Sequence, residues 1–66
     1  MTFEAEGNDE WSAWRMDRYC GMLHRRPGPA WVIYDADGQT LGTFTRRRDA
    51  IDRLSSWSLS RSAAMR

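Results

Sequence analysis

The sequence is nearly without cysteine and histidine: Cys20 and His24 are the only ones among its 66 residues. A single thiol excludes an intramolecular disulfide and a cysteine-rich zinc site. Acid, base or nucleophilic catalysis needs several positioned titratable groups, and neither residue has a partner at a suitable spacing. We therefore expect Cys20 to pack in the core, His24 to lie at the surface, and the protein to have no cofactor, no metal and no enzymatic activity.

Long apolar runs are also missing. No stretch of the sequence approaches the roughly 18 apolar residues of a membrane span, and residues 1–7 lack the basic start and apolar centre of a secretory signal. We expect a soluble, cytoplasmic protein that does not bind membranes. A chain this short has room for one domain, 1–66, with a small core built from its four Trp, two Tyr and two Phe.

Lysine does not occur, and all ten basic residues are arginine. This bias arises either from GC-rich coding or from a use for planar guanidinium groups, which bind carboxylates and phosphates through two parallel hydrogen bonds. The sequence pI of about 8.0 is lower than the value above roughly 9 that is typical of nucleic-acid-binding domains. The charge is unevenly distributed, since residues 1–10 are acidic and residues 46–66 are rich in arginine.

Residues 9–24 have the spacing of an amphipathic helix. Asn8 is a suitable N-cap, and Asp9 and Glu10 would place negative charge in the first turn, where it complements the helix dipole. One side of the helical wheel carries a core stripe, consisting of Ala13, Met16, Tyr19, Cys20 and Leu23. The other side alternates large apolar side chains with arginines, namely Trp11, Trp14, Met22, Arg15 and Arg18.

Residues 30–45 predict an antiparallel hairpin. Residues 30–34 are rich in β-branched and aromatic side chains, residues 35–39 supply turn chemistry that includes Gly38, and residues 40–44 form the returning strand.

A second helix is predicted to begin after Thr45, with Ala50, Ile51, Leu54 and Trp57 in one arc. Residues 58–66 follow as a tail that frays, and residues 1–7 form either an edge strand or a flexible tail. The predicted fold class is α+β, a two-layer (β)αββα arrangement with the antiparallel hairpin packed on two helices.

Two sets of residues are candidates for partner binding, because tryptophan and arginine are the residue types most enriched among binding hot spots. The first is the tryptophan–arginine side of the predicted first helix, with Trp11, Trp14, Arg15 and Arg18. The second is an electrostatic set that consists of Arg25, Arg26, Arg46, Arg47 and Arg48.

Residues 19–57 carry a pattern of Tyr19 and Gly21, Arg25-Arg26-Pro27, Trp31, Leu41-Gly42-Thr43-Phe44 and Ala50. This pattern resembles the plant ethylene-responsive DNA-binding domain and, more loosely, the arm-binding domain of phage integrases. The resemblance implies a three-stranded sheet packed on one helix. It also implies one candidate function, a small double-stranded DNA-binding regulator of transcription or recombination that reads DNA with its sheet. The residues at the duplex would be Arg25, Arg26, Trp31, Thr43 and Arg46 to Arg48.

In its general properties, namely small size, mixed charge and the lack of a catalytic set of residues, the chain resembles the accessory proteins of phages, including anti-CRISPR proteins. The near-zero net charge favours this class over free DNA binding. The leading expectation is therefore a non-enzymatic inhibitor or adaptor, a monomer or homodimer, that binds a protein or nucleoprotein surface such as a CRISPR effector and blocks it sterically.

Overall fold

The computed structural model describes residues 1–64, and the side chains of residues 1–60. The chain forms a five-stranded sheet in the order β1-β2-β3-β4-β5, followed by one helix. Every strand pairs antiparallel with its neighbours in sequence, so the sheet is an up-and-down meander. The elements are β1 Thr2–Ala5, β2 Glu10–Arg15, β3 Arg18–Arg26, β4 Ala30–Asp35, β5 Thr40–Phe44 and α1 Arg47–Ala64.

The predicted (β)αββα arrangement with two helices is wrong, because residues 9–24 form β2 and β3 instead of a helix. The two strands meet at a tight turn where Met16, predicted in the core, is 93% exposed. A strand covered on one face usually alternates apolar and polar residues, but β2 and β3 carry large apolar side chains on both faces. Apolar residues on both faces remove the alternation in hydropathy that marks a strand, and their spacing then resembles that of a helix. The tryptophans and Tyr19 nevertheless favour strands by their intrinsic propensity.

The predicted hairpin is confirmed as β4 and β5. Asp35 organises its turn, because its Oδ1 atom accepts hydrogen bonds from the backbone N–H groups of Asp37 and Gln39, both at 2.9 Å. Gly38 adopts a φ of +87°, which side chains disfavour. These hydrogen bonds fix the conformation of the turn, and the turn fixes the register of β4 and β5.

Alternate residues of each strand point to opposite faces of the sheet, and α1 covers one of them through β3, β4 and β5. The helix face carries Phe3, Trp11, Ala13, Leu23, Trp31, Ile33 and Phe44. The open face carries Glu4, Glu10, Ser12, Trp14, Tyr19, Met22, His24, Arg26, Val32, Tyr34 and Thr43. The core lies on the helix face, where Leu23, Ile33 and Leu54 are fully buried.

The second predicted helix is confirmed as α1, with Ala50 and Leu54 in the core. It continues to Ala64, into residues 58–66, which were expected to fray; residues 65 and 66 lie outside the described residues. No helix within residues 1–64 is long and apolar enough to cross a membrane.

Residue 20 is an extra residue in β3, since Ala13 opposes Gly21 and Trp14 opposes Tyr19. Cys20 is buried in the core, as predicted, and Ser58 on α1 donates a hydrogen bond to its Sγ atom at 3.5 Å. This bulge reverses the alternation within β3, so Tyr19 points to the open face together with Trp14.

Candidate functional site

The two tryptophans assigned to one helical side lie on opposite faces of the sheet. Trp11 packs against the core on the helix face, whereas Trp14 contacts Tyr19 on the open face. Both are half-buried. The first predicted set is therefore not one continuous patch.

Arg15 and Arg18 oppose each other beside the β2–β3 turn. The Nε–H group of Arg15 donates to Ser58 Oγ at 3.4 Å, which ties β2 to α1, while Arg18 is exposed. These two arginines remain neighbours, but at the far end of the sheet from Trp11.

The second predicted set is brought together at one end of the sheet. Arg25 opposes Trp31, and Trp31 opposes Phe44 at the end of β5. The chain then continues directly into Arg46, Arg47 and Arg48, all exposed. We call this set, with Arg25 and Arg26, the arginine end.

A stack of two tryptophans and two arginines lies on the helix face of this end. The rings of Trp11 and Trp31 have centroids 5.7 Å apart at an interplanar angle of 39°. The guanidinium of Arg25 lies 6.0 Å from the Trp31 ring centroid, and that of Arg47 lies 5.7 Å from the Trp11 ring centroid. Such contacts hold a guanidinium in place without using its hydrogen-bond donors.

Arg25 also anchors the β1–β2 loop. Its Nε and Nη2 atoms donate to Asp9 Oδ1 at 2.9 and 2.7 Å, and its backbone N–H group donates to the Asp9 carbonyl at 2.8 Å. Among residues 1–60 the ion pair with an arginine is Asp9–Arg25, and His24 Nδ1 lies 3.4 Å from Glu10 Oε1. No carboxylate of these residues therefore forms an ion pair with Arg26, Arg46, Arg47 or Arg48, so four of the five arginines at the arginine end have no ion-pair partner within residues 1–60.

The open face has aromatic and apolar residues at its centre. The Trp14 and Tyr19 rings meet edge to face at 5.6 Å, and Met22 opposes Tyr34. Trp14 Nε1 donates to Ser12 Oγ at 2.9 Å, and Ser12 Oγ donates to Glu6 Oε2 at 2.8 Å. This chain of hydrogen bonds fixes the orientation of the indole.

Burial raises the pKa of the Tyr19 phenol above its ordinary value of 10.0, and the carboxylates of Glu6 and Asp35 raise it further. Both effects disfavour the charged phenolate. Tyr19 is therefore a neutral hydrogen-bond donor at physiological pH.

Tyr19 and Tyr34 on the open face were missing from the contact residues drawn from the sequence, and Trp31 of the stack was named only for the DNA-binding alternative. Their positions follow from strand register, which the sequence pattern did not supply for β2 and β3. Within the side chains described, no three His, Cys, Asp or Glu residues cluster as a metal site. The chemistry present is guanidinium donors at one end and aromatic surface on one face, both suited to non-covalent binding.

Comparison with protein-family models, curated proteins and solved structures finds no match for this chain.

Proposed function

We propose that the protein is a non-enzymatic inhibitor or adaptor that binds a nucleoprotein surface and blocks it sterically. The observation that carries this proposal is the arginine end, where Arg46, Arg47 and Arg48 join Arg25 and Arg26. A nucleoprotein offers phosphates beside protein, and arginine binds phosphate oxygens in a fork geometry.

The stack supports this assignment because contacts within the protein already order the side chains of two of the five arginines. Arg47 rests on Trp11, and Arg25 is held by both Trp31 and Asp9. Ordering a long side chain on binding costs about 0.5 to 1.5 kcal/mol. Arg47, whose contact with the Trp11 ring uses no hydrogen-bond donor, avoids part of that cost, whereas the Nε and Nη2 donors of Arg25 are already bound to Asp9.

The alternative function is a DNA-binding regulator. The order β3, β4, β5 and α1 matches the three strands and one helix that the family resemblance implies, which favours this alternative. However, Arg25 and Trp31 lie on the helix face while Arg26 and Thr43 lie on the open face. The open face also carries the carboxylates of Glu4 and Glu10, which would repel phosphates. One duplex on the sheet would therefore not meet all the residues assigned to it.

We place the protein in the cytoplasm, where a lone reduced Cys20 is stable. A CRISPR effector is one nucleoprotein of the expected kind, and phage anti-defence remains the setting that we propose for this function.

The first prediction concerns binding to protein-free duplex DNA, measured by fluorescence anisotropy between 50 and 300 mM salt. We expect weak binding, with a Kd no tighter than about 1 μM at 150 mM salt, and a steep salt dependence from counterion release. Arg46→Gln should weaken binding about three- to tenfold and lower the salt slope by about one. Arg53→Gln, which removes the same charge from the exposed side of α1, should leave the slope unchanged.

A Kd below about 10 nM in the absence of any protein would favour the DNA-binding regulator. No binding at 50 mM salt, or equal effects of the two variants, would remove the arginine end from the function.

A further inference from the structure

Within residues 1–64, the sheet is covered on one side only. Helix α1 contacts β3, β4 and β5 on the helix face, and no element within residues 1–64 packs on the open face. Trp14, Tyr19, Met22 and Tyr34 are half-buried there; the Trp14 and Tyr19 rings contact each other, and Met22 opposes Tyr34 across the strands. Partly exposed aromatic residues that form one patch mark an interaction surface.

The patch is ordered in advance. Ser12 is 4% exposed and holds the Trp14 indole through the hydrogen bonds described above. On the opposite side of the patch, Arg26 Nη2 donates to the Tyr34 hydroxyl at 3.4 Å. Aromatic anchors with fixed rotamers lose little entropy when a partner binds.

The charge around the patch is opposite to that of the arginine end. Glu4 and Glu10 lie on the open face, and the Glu6 carboxylate reaches it through Ser12. Among residues 1–60, Arg26 is the one arginine of this face, and His24 Nδ1 lies 3.4 Å from Glu10 Oε1. An aromatic centre with a carboxylate rim complements an apolar surface flanked by arginine or lysine.

We propose that the open face docks a basic, apolar protein surface, in which a partner covers Trp14, Tyr19 and Met22 and pairs its cations with Glu4 and Glu10. This inference rests on the proposed function, since proteins that bind nucleic acid present basic surface next to phosphates. The two oppositely charged parts of the molecule then contact the protein and the nucleic acid of one complex.

The test uses the full chain labelled with ¹⁵N, because its four tryptophan indole N–H signals report on separate places. The probe is an 18-residue helical peptide with a leucine stripe flanked by arginines, titrated at 150 mM salt. We expect saturable shifts of the Trp14 signal while the Trp11 and Trp31 signals stay in place. A matched peptide with glutamate in place of arginine should not bind.

The double variant Glu4→Gln/Glu10→Gln should weaken peptide binding about three- to tenfold, the effect of losing two exposed charge pairs. The control variant Asp37→Asn/Asp52→Asn removes the same charge from exposed sites away from this face, and should bind like the unchanged protein.

Shifts confined to Trp11 and Trp31, or equal binding of both peptides, would overturn the proposal. So would a Trp14 signal that moves with protein concentration alone, because the occupant would then be a second copy. Titration of the same sample with duplex DNA monitors Trp11 and Trp31, so a failure of the arginine end is observed separately.

Discussion

Gly21 controls how closely β3 approaches β4. Its φ is +150°, and a Cβ atom built on it would overlap the backbone carbonyl oxygen of Tyr34. The neighbour is main chain, so it cannot move aside as a side chain would. Only glycine fits here, and this position keeps the bulge that turns Tyr19 toward the open face.

The second prediction is that Gly21→Ala lowers the free energy of unfolding by about 2 to 5 kcal/mol, from steric overlap and backbone strain combined. A domain of this size has only about 3 to 5 kcal/mol in total, so the variant should be largely unfolded. Urea unfolding followed by tryptophan fluorescence measures the change. Gly7→Ala is the control, because a Cβ at residue 7 meets nothing within 4 Å, and equal effects would show that the overlap is relieved.

At the scale of the element, the buried Asp35 side chain stabilises the turn of the β4–β5 hairpin. Two backbone N–H groups of the turn depend on one of its oxygens. The Gly38 N–H group donates to the Asp35 carbonyl at 3.0 Å, which closes the same turn.

The third prediction is that Asp35→Ala lowers the free energy of unfolding by about 1 to 3 kcal/mol, because it leaves these turn N–H groups without their acceptor. Amide exchange at Asp37 and Gln39 should accelerate. Asp37→Ala, an exposed change in the same turn, should stay within about 0.5 kcal/mol. Asp35→Asn retains one carbonyl oxygen and should fall between the two, and an Asn variant as unstable as the Ala variant would contradict this account.

The hairpin and α1 could be predicted because their local signals agree with their tertiary positions. Residues 30–34 favour a strand, Gly38 suits a turn, and Ala50 and Leu54 share one side of a helix. Residues 9–24 gave the opposite result, because strands with apolar side chains on both faces show no alternation in hydropathy. Only pairing with β1 and β4 distinguishes the two outcomes, and that information is not local.

The incorrect helix assignment for residues 9–24 also placed residues of the candidate site on the wrong surfaces. Residues three apart share one side of a helix but lie on opposite faces of a strand, so Trp11 and Trp14 separated once β2 was a strand. The arginine end was less affected, because Arg25 and Arg46 lie just beyond elements of either type. Their proximity still required the register of β3, β4 and β5.

At the scale of the whole molecule, the Tyr19 phenol makes the free energy of unfolding depend on pH in the alkaline range. Its pKa is raised in the folded state, so the folded protein holds the proton to higher pH than the unfolded chain does. The stabilisation is fully present below the unfolded value of about 10 and is lost as pH rises through the folded value.

The fourth prediction follows from this loss of stability at high pH. The difference in unfolding free energy between the unchanged protein and Tyr19→Phe should be constant at neutral pH and should shrink above about pH 10. Urea unfolding at a series of pH values measures it, and phenol absorbance in concentrated urea gives the reference titration. A difference that stays constant to the highest pH at which the protein folds would contradict the coupling.

The meander also determines when the chain can fold. Each hairpin forms from neighbouring sequence, so the sheet is built from short loop closures, which are fast. Yet Leu23 and Ile33 pack against Ala50 and Leu54, which follow all five strands in the chain. During synthesis the strands are therefore available early but have no cover on their apolar side. The sheet therefore becomes stable only when α1 is available to pack on it.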